Sequence, residues 1–134
     1  MNKQQNEIVI YKTKQGSVSL ISDNNKETLL ANINQIADLF GVQKPAISKH
    51  LKNIFKDGEL TKKATVSILE TVQKEGSRSV KRNIEYYNLD AIISVGYRIN
   101  SKSATDFRIW ATQTLKEHIT QGFTINKDRL AQDK

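Results

Sequence analysis

The sequence predicts a mixed α+β fold, and three observations carry that expectation. Stretches 7–21 and 64–87 place β-branched residues on either side of polar turns, which reads as two hairpins. Between them, 32–57 reads as two helices joined at Gly41, and 89–121 repeats apolar residues at helical spacing. A chain of 134 residues fits one ordinary domain. That domain is expected over 1–123, followed by a polar tail at 124–134.

In order along the chain, Glu7-Ile-Val-Ile-Tyr11 and Val18-Ser-Leu-Ile21 flank the turn Lys14-Gln15-Gly16-Ser17. Leu29-Leu30 reads as a short strand. Asn32 and Gln35 have the spacing of a capping box, after which Ile33, Ile36, Ala37 and Phe40 form one apolar face and Gly41 stops the helix. The next helix has Pro45 near its first turn, where a missing amide proton costs least; Ile47, Leu51, Ile54 and Phe55 are its apolar stripe and Gly58 its end. Strands over 64–73 and 79–87 enclose the turn Lys74-Glu75-Gly76-Ser77-Arg78, with Val80, Ile84 and Tyr86 on one side. Asn88 caps a helix to about Tyr97 that carries Leu89, Ile92, Ile93 and Tyr97 toward the core. Ser101-Lys102-Ser103 reads as a loop. The last helix is expected to start near Ala104, capped by Ser103 or a neighbour, to bury Phe107, Trp110, Ala111, Leu115 and Ile119, and to stop at Gly122, with Phe123 folding back.

The net charge of +7 favours a polyanionic partner, nucleic acid first. With no cysteine, disulfides, thiolate nucleophiles and cysteine zinc sites are excluded. No apolar run approaches the roughly 18 residues of a membrane helix, so a cytoplasmic protein with no membrane partner is expected. The two histidines, His50 and His118, read as packing or surface residues, and Asp23, Asp38, Asp57, Asp90 and Asp106 are scattered singly near helix ends and turns. No catalytic residue, metal site or cofactor is therefore expected. Tyr86, Tyr87 and Trp110 could stack on bases, but their spacing assigns them to the core.

The helix pair has the steric pattern of a helix-turn-helix: Ala37 is small where the helices approach, Gly41 permits a positive backbone angle, and Val42 with Ile47 fills the corner. The second helix turns a cationic side outward. Gln43, Lys44, Ser48 and Lys49 are the candidates for base edges in a major groove, and Lys52 and Lys56 for phosphates. The competing reading is a merely solvated lysine face. A hairpin directly after this helix gives a winged-helix-like arrangement, with Lys74, Arg78, Lys81 and Arg82 near the wing tip and Arg78, Lys81 and Arg82 as the phosphate contacts; Arg108 is a further candidate.

The chain resembles the RhuM family of bacterial virulence-associated proteins. The likeness runs through Leu39-Phe-Gly-Val, through Ile47-Ser-Lys-His-Leu-Lys-Asn-Ile-Phe-Lys-Asp-Gly-Glu-Leu60, and through Glu85-Tyr-Tyr-Asn-Leu-Asp-Ala-Ile-Ile-Ser-Val-Gly-Tyr-Arg-Ile-Asn100. It continues into Ser101-Lys-Ser-Ala-Thr-Asp-Phe-Arg-Ile-Trp-Ala-Thr and covers roughly 7–130. The stretch Phe107-Arg108-Ile109-Trp110 is also similar to the end of Bro-N and KilA-N type DNA-binding modules. The resemblance implies a DNA-binding protein of virulence or mobile genetic regions, with no catalytic residue to carry over. It also implies a fragment or a short relative, since family members usually continue further.

Together these readings lead us to expect a non-catalytic binder of double-stranded DNA, a transcriptional regulator; a homodimer on a two-fold site would be the normal way to reach useful affinity, but no dedicated oligomerisation helix stands out and the oligomeric state is left open. The alternatives are a protein-interaction module docking through the last helix, 104–121, and a toxin-like nuclease component.

Overall fold

The computed structural model describes residues 6–132, with side chains described over 7–117. The architecture is mixed α+β, with five helices and two small antiparallel sheets among the described residues. Strands β1 (Asn6–Thr13), β2 (Gly16–Asp23) and β3 (Thr28–Leu30) form a meander in the order β1-β2-β3. Helices α1 (Ile33–Phe40), α2 (Lys44–Lys56) and α3 (Lys62–Thr65) follow, then the hairpin β4 (Val66–Glu75) and β5 (Arg78–Tyr87), then α4 (Leu89–Ile99) and α5 (Ser101–Gln132).

Alternation sets the first sheet's inner face: Val9 lies opposite Leu20 and Tyr11 opposite Val18, and these side chains meet the helices. Leu20, Leu29, Ile36, Ile47, Ile54, Ile92, Val95 and Phe107 are fully buried. Tyr11 packs edge-on to Phe107, with ring centroids 5.1 Å apart, and lies 4.8 Å from the Trp110 ring, tying β1 to α5.

The capping box forms as expected. Asn32 Oδ1 accepts from the Gln35 amide and Gln35 Oε1 from the Asn32 amide, both at 2.9 Å. Gly41 takes φ 66°, and the Val42 amide donates to the Ala37 carbonyl at 3.1 Å, which closes the turn before α2. At the far end of α2, Gly58 at φ 78° completes a Schellman turn: the Glu59 amide reaches the Ile54 carbonyl at 3.1 Å and the Gly58 amide the Phe55 carbonyl at 3.2 Å.

Four expectations are corrected. Residues 101–103 are helical and not a loop, because Asn100 Oδ1 accepts from the Ser103 amide at 3.1 Å and caps α5 three residues earlier than Ser103 would. The helix passes through Gly122 to Gln132, consistent with a lone helical glycine costing only about 1 kcal/mol. The side chains of His118, Ile119 and Phe123 lie outside those described. Tyr97 is exposed and not buried, its hydroxyl held near Thr105 and Arg108 at the surface. Finally, β4 begins at Val66, because Thr61 Oγ1 accepts from the Ala64 amide and starts the short helix α3.

Candidate nucleic-acid interface

α2 contains four lysines and no acidic residue. Its buried stripe, Ile47, Leu51 and Ile54, contributes about 1.5–3 kcal/mol per side chain and fixes which side of the helix faces outward. Lys49, Lys52 and Lys56, at i, i+3 and i+7, then form one exposed line about 10 Å long. Lys44 and Gln43 are exposed at its amino end, and Ser48 is exposed along its flank. The Gln43 side chain makes no capping bond, so it does not occupy the amides of the first turn. None of the four lysines has an ion-pair partner among the described residues. His50 is half-buried on the same helix.

The nearest acids in sequence, Asp57 and Glu59, are drawn away from this line. Arg98 of α4 reaches Glu59 Oε1 at 3.0 Å and Asp57 Oδ2 at 3.6 Å, which braces the end of α2 against α4. The hydrogen bond from Arg98, and then one from Ser94, hold the Glu59 carboxyl below its usual range.

The β4–β5 hairpin divides its basic residues by parity. Its register places Glu75 opposite Arg78, Thr71 opposite Arg82 and Leu69 opposite Ile84, so Arg78 and Arg82 share one face. Lys81, opposite Val72, and Lys74, opposite Ser79, occupy the other. The expected phosphate set Arg78, Lys81 and Arg82 is therefore not gathered on a single side. Arg82 is further engaged by Glu75, whose Oε2 accepts from its Nε at 3.1 Å and also contacts Nη2. Arg78 and Lys81 are exposed without an ion-pair partner among the described residues. Arg108 lies on α5, its Nε donating to the Tyr97 hydroxyl of α4 at 3.4 Å.

One participant is visible only in the structure. A cleft of about 250 Å³ beside α2 is lined by Ser48, Leu51, Lys52 and Phe55 together with Ile33, Lys62 and Tyr87. Lys62 Nζ sits 5.9 Å from the Phe55 ring centroid, so α3 adds a cation to the edge of the α2 surface. The signal in the sequence is Thr61 followed by Lys62 and Lys63, a cap residue before two lysines. Among the described residues, no group of three or more His, Cys, Asp or Glu side chains is placed to hold a metal ion, and no helix is long and apolar enough to cross a membrane.

Residues 64–134, just over half of the chain, match the family model described as the virulence protein RhuM family. The matched span holds β4, β5, α4 and α5, while α1 and α2 precede it. No curated protein and no solved structure matches the chain. The local likeness to Bro-N and KilA-N type modules is not shown by these comparisons.

Proposed function

Since the chain belongs to the virulence protein RhuM family, we propose that it binds double-stranded DNA without catalysing a reaction on it, as a winged-helix-like transcriptional regulator in the cytoplasm. α2 enters the major groove. Gln43, Lys44, Ser48 and Lys49 face base edges, and Lys52 and Lys56 meet phosphates. The β4–β5 hairpin is the wing, with Arg78 and Arg82 on one face and Lys81 on the other, so that one side grips the backbone while the opposite side remains in solvent.

The observation that carries this reading is the line Lys49, Lys52 and Lys56, without an ion-pair partner among the described residues and raised outward by the buried Ile47, Leu51 and Ile54. A line of lysines on a small domain of net charge +7 is suited to releasing counterions from a polyanion. The Ala31–Tyr87 bridge supports the winged-helix-like reading, because it joins the residue before the α1 cap, Asn32, to the end of the hairpin.

The test is a titration of labelled duplex at stated salt. The double variant Lys49→Glu/Lys52→Glu is expected to weaken binding by about 100-fold or more, and each single Lys→Ala change at a phosphate contact to reduce the logarithmic salt slope by about 0.9. Unchanged duplex binding by the charge-reversed protein would overturn the groove assignment.

A further inference from the structure

We propose that the open edge of β1 docks a second copy of this chain, edge to edge and antiparallel, to make one six-stranded sheet across a two-fold axis. The inference is independent of the DNA-binding reading. It rests on which backbone groups face outward and on the symmetry of the residues that carry them.

The strand order β1-β2-β3 leaves one edge of β1 without a strand partner among the described residues. Thr13 pairs with Gly16 across the two-residue loop Lys14-Gln15, which requires Thr13 and Gly16 to be a hydrogen-bonded pair. Alternation then points the backbone groups of Thr13, Tyr11, Val9 and Glu7 at β2. Those of Lys12, Ile10 and Ile8 point to the open edge. The side chains of the same edge-facing residues stand on the sheet's outer surface, where Ile8 is 64% and Ile10 55% exposed. Ile8 lies beside Ile21 of β2, so the apolar strip spans two strands. A long edge bearing β-branched residues is the surface that another strand extends most readily.

The sequence of the edge specifies a copy of itself. Ile8-Val9-Ile10 reads the same in both directions, so antiparallel pairing centred on Val9 sets each Ile8 opposite the copy's Ile10 and joins them through their outward amides and carbonyls. The same register sets Lys12 opposite the neutral Asn6, whereas parallel alignment in step would set lysine against lysine. Two-fold closure uses both edges up and leaves none for a third chain.

Only one strand per subunit is involved, so the interface is at the small end of specific contacts, and a reversible dimer on the order of 10 μM is expected. Sedimentation equilibrium of the whole chain should show mass doubling across that range. Ile10→Pro removes an amide that faces the edge and none that faces β2, so it should give a folded monomer with an unchanged circular dichroism spectrum. Should proline disturb the hairpin, Ile8→Lys/Ile10→Lys tests the same pairing through exposed positions, by setting like charges opposite each other. Because the chain has no cysteine, Val9→Cys should cross-link to its twin under mild oxidation, faster than Ile10→Cys. A monomer up to about 300 μM, or a dimer that survives Ile8→Lys/Ile10→Lys, would overturn the proposal. Cross-linking through Ile10→Cys in preference to Val9→Cys would overturn the pairing centred on Val9.

Discussion

Ala31 and Tyr87 exchange both of their backbone hydrogen bonds: the Ala31 amide donates to the Tyr87 carbonyl at 3.0 Å, and the Tyr87 amide to the Ala31 carbonyl at 2.8 Å. The residue before the α1 cap, Asn32, is thereby joined to the base of the hairpin, and Tyr87 stacks on Phe55 of α2 with centroids 6.5 Å apart. The neighbouring Asn88 amide donates to Thr65 and the Leu89 amide to Thr28 Oγ1, so several short bonds surround the junction. Ala31→Pro removes one donor at a fully buried position and strands the Tyr87 carbonyl. A loss of about 2–4 kcal/mol is expected in urea unfolding. Stability equal to the parent's would show that the pair does not hold the hairpin's base.

Gly96 is needed for close approach. A Cβ there would lie 2.5 Å from Phe40 Cζ, 2.8 Å from Phe40 Cε1 and 3.0 Å from Ala104 Cβ, where α4 meets α1 and α5. Alanine would gain about 1 kcal/mol in helix preference but would force the Phe40 ring aside, which outweighs the gain. Gly96→Ala should therefore lower stability by about 1–2 kcal/mol, and Phe40→Leu should be better tolerated in that background than in the parent. Thermal melts of the four proteins in the cycle decide it.

What could be read in advance depended on how far apart the interacting groups lie in the chain. The Asn32–Gln35 box, the turn at Gly41 and the stripe of Ile47, Leu51 and Ile54 are all set within one or two helical turns, and each is present in the fold. α3 was hidden because four residues carry no periodicity, only the Thr61 cap. Asn100 and Ser103 are both competent caps three residues apart, and local spacing alone does not choose between them. At the candidate site, the lysine line follows from helical spacing. The engagement of Arg82 by Glu75, seven residues away, depends on hairpin register, and the closeness of Lys62 to Phe55 depends on a helix that periodicity does not announce.

The Tyr87 phenol gives a pH test of the same junction. Burial, then its hydrogen bond to Glu85 Oε1 at 2.9 Å, then that carboxylate's charge push its pKa from the ordinary 10.0 to about 12. The folded value exceeds the unfolded one, so the folded state keeps its proton longer. The stabilisation is complete below about pH 10 and is lost as pH rises through the folded pKa. Tyr87→Phe should flatten the alkaline decline by up to about 2 kcal/mol between pH 10 and 12. Glu85→Gln should shift the phenol's absorbance titration downward. An alkaline slope that is the same in the parent and in Tyr87→Phe would exclude this group as its source.

If the hairpin grips DNA as proposed, Glu75 limits its contribution. Its carboxylate accepts from the Arg82 guanidinium on the face that also carries Arg78, so one of the two arginines is neutralised locally. Both partners are about half exposed, which makes the pair weak in stability terms but still effective at cancelling a charge near a polyanion. Glu75→Gln should leave the unfolding midpoint nearly unchanged, tighten duplex binding by about 3- to 10-fold at low salt, and steepen the logarithmic salt slope by about 0.9, one added phosphate contact. Arg82→Ala should cost little in the parent and should erase the whole gain in the Glu75→Gln background, a coupling that a double-mutant cycle measures directly. If Glu75→Gln binds duplex no more tightly than the parent and with the same salt slope, the Arg82 face of the hairpin does not touch the backbone, and contact must be assigned to the opposite face through Lys74 and Lys81.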